Sequence, residues 1–149
     1  MLDHDYFMGQ ALLEAQKAYE ADEVPVGAVV VYDNRILARA HNRVQHSQDA
    51  TAHAELLALQ MACKKLQAKY LPECTLYITL EPCAMCASAT YWLQLGHLVF
   101  ATQDLKKGYS LWSQSLLHPK TKLTHGPLAT ASKVLLQSFF KALRQKSTL

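Results

Sequence analysis

The chain has 149 residues, half of them hydrophobic and 18% charged, which is one domain's worth of sequence and argues against disorder. Its formal net charge of +3 permits nucleic-acid binding without requiring it, and no apolar run approaches the roughly 20 residues that a bilayer crossing needs. Asp3, Asp5, Glu14 and Glu20 keep the first residues from reading as a signal or transit peptide, so a cytoplasmic protein with no membrane partner is expected.

An opening helix is predicted from Asp5 to Glu20. Phe7, Ala11, Ala15 and Ala18, with Leu12 and Tyr19, recur at helical spacing and would leave Glu14 and Lys17 outward. Val26 to Tyr32 and Ile36 to Ala40 read as two strands joined by the turn residues Asp33-Asn34-Arg35, a hairpin. Thr51 or Asp49 can cap a helix starting near Ala52, with Ala54, Leu57, Ala58 and Met61 on its core face. Thr75 to Leu80 alternates as a strand, and Pro82 suits the first turn of the helix after it, where its missing N–H costs nothing.

His97 to Ala101 reads as a buried strand, and a last helix is predicted over Leu128 to Arg144, with Val134, Leu135, Phe139 and Leu143 inward. The order α-β-β-α-β-α-β, then loop and α, predicts an α/β protein: a three-layer α/β/α sandwich with a mixed central sheet. No repeat or linker interrupts it, so residues 1–149 are expected to form one domain.

Four cysteines in such a chain suggest metal or reduced thiols before disulfides. Cys63 sits in an apolar helical pattern and Cys74 just before a strand, and both read as ordinary buried or half-buried thiols. Cys83 and Cys86 differ. Three apart at a helix start, they can reach one metal together, and a helix N-terminus favours the thiolate. His53 and Glu55, two apart, do not share a mid-helix face and can converge only from a first turn.

His53-Ala54-Glu55 followed by Pro82-Cys83-Ala84-Met85-Cys86 matches the H-x-E…P-C-x-x-C signature of zinc nucleobase deaminases. Glu23-Val24-Pro25-Val26-Gly27-Ala28, His41-Asn42, Asp49 to Glu55 and Leu76 to Cys86 extend the likeness, more loosely followed by Val99-Phe100, Asp104 and Phe139-Phe140. The chain thus resembles the bacterial tRNA-specific adenosine deaminases, within the cytidine/deoxycytidylate deaminase-like superfamily.

The resemblance implies a cytidine-deaminase-like fold, one zinc ion (Zn2+) per chain, a homodimer and a tRNA anticodon loop as partner. His53, Cys83 and Cys86 would be the metal ligands. Three protein ligands leave a tetrahedral position open for water, whose pKa zinc lowers to about 7. Glu55 would carry the protons as the catalytic residue. Asn42 would hydrogen-bond the base, the backbone at Ala84 would hold its edge, Val24 would pack on its plane, and Asp104 would lie near the ribose. Asn42 and Asp104 also suit turns or caps.

The chain departs from the family at Ser88, where glycine is frequent, and at the bulky Gly108-Tyr109-Ser110-Leu111-Trp112, where Gly and Ala are frequent. Ala131 and Ser132 replace a usual Glu and Cys. All are expected where an RNA loop or a second subunit could touch. Tyr109 and Trp112 are candidates to stack an unpaired base, or are core or interface aromatics. The basic residues Lys106, Lys107, Lys120, Lys122, Lys133, Lys141, Arg144 and Lys146 crowd the last third and line either a phosphate-facing surface or a solvated helix face.

The expected function is a zinc-dependent hydrolase, deaminating adenosine to inosine at the wobble position of a tRNA anticodon loop, where an unpaired base can enter a pocket closed to duplex. The alternatives are a free-base or nucleoside deaminase (guanine, cytosine or cytidine) and a non-catalytic zinc-stabilised RNA-binding module.

Overall fold

In the computed structural model, which describes residues 1–147, five strands form one sheet in the order β2-β1-β3-β4-β5. The elements in chain order are α1 (His4–Glu20), β1 (Gly27–Tyr32), β2 (Arg35–His41), α2 (Val44–Ser47), α3 (Ala54–Leu66), β3 (Cys74–Leu80), α4 (Ala84–Trp92), β4 (His97–Thr102), β5 (Lys122–His125) and α5 (Ala129–Ser147). The first hairpin and the β1–β3 pair are antiparallel, while β3–β4 and β4–β5 are parallel. The sheet is therefore mixed, as expected.

Asp33 and Asn34 both adopt positive φ, which is what a two-residue hairpin turn matched to strand twist requires. A bulge at Leu37 follows: Val30 faces Ala38 but Val31 faces Ile36. Asp3 caps α1 by accepting the Tyr6 N–H at 2.9 Å. Gly27 opens β1 beneath this helix, where a Cβ would collide with the Ala11 carbonyl oxygen and the Ala15 nitrogen.

Successive residues of β1 feed opposite faces. Val29 and Val31 join Phe7, Met8, Ala11, Tyr77, Val99 and Ala101 under α1. Ala28 and Val30 join Ala58, Leu59, Ala62, Leu76, Ile78 and Leu98 under α3. The central strands are buried on both sides, as parallel strands covered by helices must be. Burying each large apolar side chain there contributes about 1.5–3 kcal/mol.

Several inward and outward assignments need correction. Glu14 is buried, with its carboxylate accepting from Lys17 Nζ at 2.7 Å, so only Lys17 faces solvent. Met61 is exposed and Leu59 takes its core place. On α5 the phase is shifted: Leu136 and Ser132 point inward, Leu135 and Phe139 are half-buried, and Val134 and Leu143 are exposed. Ser132 is buried against the central strand β3, donating its hydroxyl to the Thr79 carbonyl at 2.5 Å, so it cannot meet RNA or a partner.

The short α2 and the edge strand β5 have no counterpart among the predicted elements, because four residues each are too few to show a period. Pro82 stands one residue before the N-cap of α4, outside its first turn. Asp49 and Thr51 bond to each other and do not cap α3. Cys63 and Cys74 are free thiols, half-buried and buried, and burial pushes Cys74 up to about 11. Among the described residues, no helix is long and apolar enough to cross a membrane.

Candidate active site

Beyond the carboxyl end of β3 the chain turns into α4, and the start of α3 meets it there. His53 is the N-cap residue of α3 and Cys83 that of α4, and neither side chain caps its own helix. An N-cap side chain ordinarily folds back onto the first-turn N–H groups. Here both are released to point at each other. The Asn42 side-chain oxygen takes over the task in α3, accepting the Ala54 N–H at 2.8 Å.

His53 Nδ1 lies 3.6 Å from the Sγ of Cys83 and 3.6 Å from that of Cys86, and the three donor atoms all lie within 4.8 Å of one another. A nitrogen at about 2.1 Å and a sulfur at about 2.3 Å from one ion, at a tetrahedral angle, stand about 3.6 Å apart. The donor set therefore fits a tetrahedral metal ion, and it offers three ligands, not four. Cys86 is buried, while His53 and Cys83 are half-buried, which leaves the site an approach from one side.

Electrostatics favour thiolate ligands. Two helix N-termini converge, and their positive ends stabilise thiolate. The Cys86 thiol, then His53, hydrogen-bond to Cys83 and hold it down at about 4. Cys86, which supplies that hydrogen bond, is pushed up by it and by burial. The thiolate of Cys83 also raises His53. A bound metal would displace the remaining protons.

Glu55, in the first turn of α3, is 4% exposed. Burial raises its carboxyl to about 7, where it can both take and return a proton at neutral pH.

Of the remaining expected site residues, Asn42 is half-buried, and the bond from Ala54 leaves its amide N–H groups for another partner. Ala84 is the first residue of α4, with a first-turn N–H that has no intrahelical acceptor. Val24 packs partly buried against the core. Asp104 shapes its own turn, its Oδ1 accepting from the N–H groups of Lys106 and Lys107 at 3.0 Å each. Tyr109 is 1% exposed and Trp112 75% exposed; the buried ring cannot stack on an incoming base.

Two buried carboxylates at the rim escaped sequence reasoning. Glu23 accepts the N–H groups of Gln45 and His46 and the His46 ring nitrogen, at 2.8 to 3.0 Å, and so anchors α2. Burial works against its charge, but these hydrogen bonds outweigh it and hold the carboxyl below its usual range. Glu81 similarly holds the loop after β4. The one signal in the sequence was an acidic residue abutting an apolar stretch on the way to a motif.

Hydrolysis at a metal is the chemistry such an open ligand set supports, and the sheet beneath it is that of the cytidine-deaminase-like enzymes. The particular family comes from sequence comparison: the profile of the MafB19-like deaminases matches residues 2–144, and the chain belongs to that family. It is 43% identical over 145 residues to the tRNA-specific adenosine deaminase of Aquifex aeolicus, covering 94% of this chain and 95% of that one.

A solved structure from work on A-to-I editing by tRNA:A34 deaminases is 39% identical, with a TM-score of 0.81, covering 88% of this chain and 99% of that one. The guanine deaminase of Nitrosomonas europaea is 28% identical with a TM-score of 0.82, covering 93% of this chain and 85% of that one. The chain is thus a deaminase that releases ammonia by hydrolysis.

Proposed function

We propose that this protein converts adenosine to inosine at the wobble position of a tRNA anticodon loop, as a single zinc-dependent deaminase domain. The observation that carries it is the three-donor cluster with Glu55 beside it, in a chain so similar along its length to a tRNA-specific adenosine deaminase.

His53, Cys83 and Cys86 would hold one zinc ion per chain. When bound, zinc supplies a nucleophilic water of lowered pKa and Lewis acidity at neutral pH. Glu55 does the proton work: its carboxylate accepts the nucleophile's proton, delivers a proton to the ring nitrogen next to the attacked carbon, and assists the amine to leave as ammonia. Burial, which raises Glu55 to about 7, suits a group that must work in both directions.

Asn42 presents its amide N–H groups to an acceptor on the base, while its oxygen is fixed on Ala54. The Ala84 N–H, at the positive end of α4, would hold the edge of the base, and the partly buried Val24 would offer an apolar surface to the ring plane. Asp104 keeps one carboxylate oxygen for a ribose hydroxyl while the other serves its turn. A homodimer in the cytoplasm completes the reading. The exposed Tyr91 and Trp92 on α4 are the kind of apolar surface a second subunit covers.

A second reading, deamination of free guanine, is favoured by the likeness to the Nitrosomonas enzyme. Zinc-loaded protein should be incubated with a tRNA bearing adenosine at the wobble position, and separately with guanine and cytidine. Inosine at that position is expected; brisk conversion of guanine with every tRNA untouched would overturn the proposal.

A further inference from the structure

Glu81 is the residue immediately before Pro82 and Cys83, and it is 3% exposed. Its backbone N–H donates to the Thr102 carbonyl at 2.8 Å, carrying the pairing with β4 one residue beyond the end of β3. Its carboxylate then reaches across to the next loop. Oε1 accepts the Asp104 N–H at 3.2 Å, and Oε2 accepts the Ser110 N–H at 3.0 Å and the Ser110 hydroxyl at 2.7 Å.

The fit around this carboxylate is close. A Cβ at Gly108 would collide with the Glu81 carboxyl group, so the loop carries glycine where it crosses. One residue on, the Tyr109 N–H donates to the Pro82 carbonyl at 2.9 Å, and the Tyr109 ring is buried. The loop is thereby tied to both residues that precede the first thiolate. What it holds out to solvent is Leu105, 80% exposed, Trp112, 75% exposed, and the exposed Lys106 and Lys107.

We propose that Glu81 is a positioning residue for the RNA substrate: its carboxylate locks the 104–112 loop to the start of α4, so that the loop's exposed side chains meet RNA at a fixed place relative to the metal ligands. The role rests on the tRNA reading above. A loop already ordered loses little conformational freedom when RNA binds, whereas a loop released from Glu81 must be ordered at the expense of affinity. The effect therefore belongs in KM more than in kcat.

The test compares zinc-loaded wild-type protein with Glu81→Gln and Ser110→Ala, using a tRNA anticodon stem-loop. Gln keeps one acceptor oxygen but turns an amide N–H₂ toward the donors of the other side. For Glu81→Gln, KM should rise at least tenfold while kcat falls less than threefold and zinc content stays at one per chain. Ser110→Ala removes one hydroxyl donor from an exposed residue, which keeps the test alive if the first variant misfolds, and should raise KM about threefold.

Without RNA, the N–H groups of Asp104 and Ser110 should exchange hydrogen faster in Glu81→Gln. A purely structural role would lower melting temperature and kcat together and leave KM where it was. That result, or unchanged exchange, overturns the proposal. If wild-type protein itself leaves tRNA untouched, the tRNA reading falls and the positioning role with it. If wild type deaminates tRNA and KM does not move in either variant, only the positioning role falls.

Discussion

The side-chain oxygen of Asn42 sits 2.8 Å from the backbone N–H of Ala54, capping a helix from twelve residues upstream so that His53 at the N-cap is free to face the two cysteines. One side chain thus serves the fold with its oxygen and is proposed to serve the substrate with its nitrogen. Two substitutions separate these tasks. Asn42→Ala should lose the cap, costing about 1 kcal/mol of stability, and should raise KM. Asn42→Asp keeps a cap acceptor but has no N–H to offer, so melting should be nearly unchanged while KM rises. Equal KM values for wild type and Asn42→Asp would remove Asn42 from the substrate site.

Cys83→Ala or Cys86→Ala should lose metal and activity together, because either change leaves two donors where three converge. Stability should fall as well, since metal binding is coupled to folding. Atomic absorption should report about one zinc per wild-type chain and close to none in each variant. Full occupancy in both would exclude these ligands.

Glu55→Gln separates chemistry from binding. Zinc should remain, and turnover should drop by about 10²–10⁴-fold or more, the contribution typical of a positioned proton carrier. Single-turnover deamination by a fully zinc-loaded variant is the measurement, and near-normal rates would dismiss the proton-transfer role.

The two loop aromatics should behave oppositely. Trp112→Ala should weaken tRNA binding, by roughly 1–3 kcal/mol if the exposed ring stacks on a base, and leave melting unchanged. Tyr109→Ala empties a buried position and should cost about 3–5 kcal/mol of stability. Neutralising Lys141, Arg144 and Lys146 should lower both tRNA affinity and its salt dependence, by about one unit of log–log slope for each phosphate no longer paired with a cation. Lys146 pairs with Asp22 only at the surface, at 3.6 Å, so stability should hardly respond. Salt-independent binding would argue against the basic residues of α5.

At the opposite end of the sheet, burial, with Lys122 and His4 nearby, lowers His97 to about 4, while its Nε2 meets Thr124 Oγ1 at 2.8 Å. With a folded pKa below the unfolded value of 6.5, the unfolded chain takes up the proton first as pH falls. Stability contributed above pH 6.5 is therefore lost between 6.5 and 4. His97 is only half-buried, so solvent screening reduces the loss to about 1 kcal/mol. Urea melts at pH 7 and pH 4.5 should show His97→Gln losing less stability on acidification than wild type; parallel losses would rule out the effect.

The candidate metal cluster of His53, Cys83 and Cys86, with Glu55 nearby, was legible in the sequence because its chemistry is carried by residue type and short spacing: two thiols three apart behind a proline, an imidazole and a carboxylate two apart. The α/β order was legible because five of the longer elements carry clear apolar patterns, and Asp33-Asn34 announced its own turn. Spacing could not say which carboxylates are buried. Glu14, Glu23 and Glu81 look like surface residues by type, and only the meeting of segments distant in sequence, or for Glu14 the neighbouring ammonium of Lys17, supplies the donors that make their burial tolerable. Tertiary structure likewise separated Tyr109 from Trp112 and set the phase of α5, because an amphipathic helix with alternating apolar and basic residues has more than one face that could turn inward. What faces inward is settled by the surface it meets: Ser132 against the Thr79 carbonyl and Leu136 against the core.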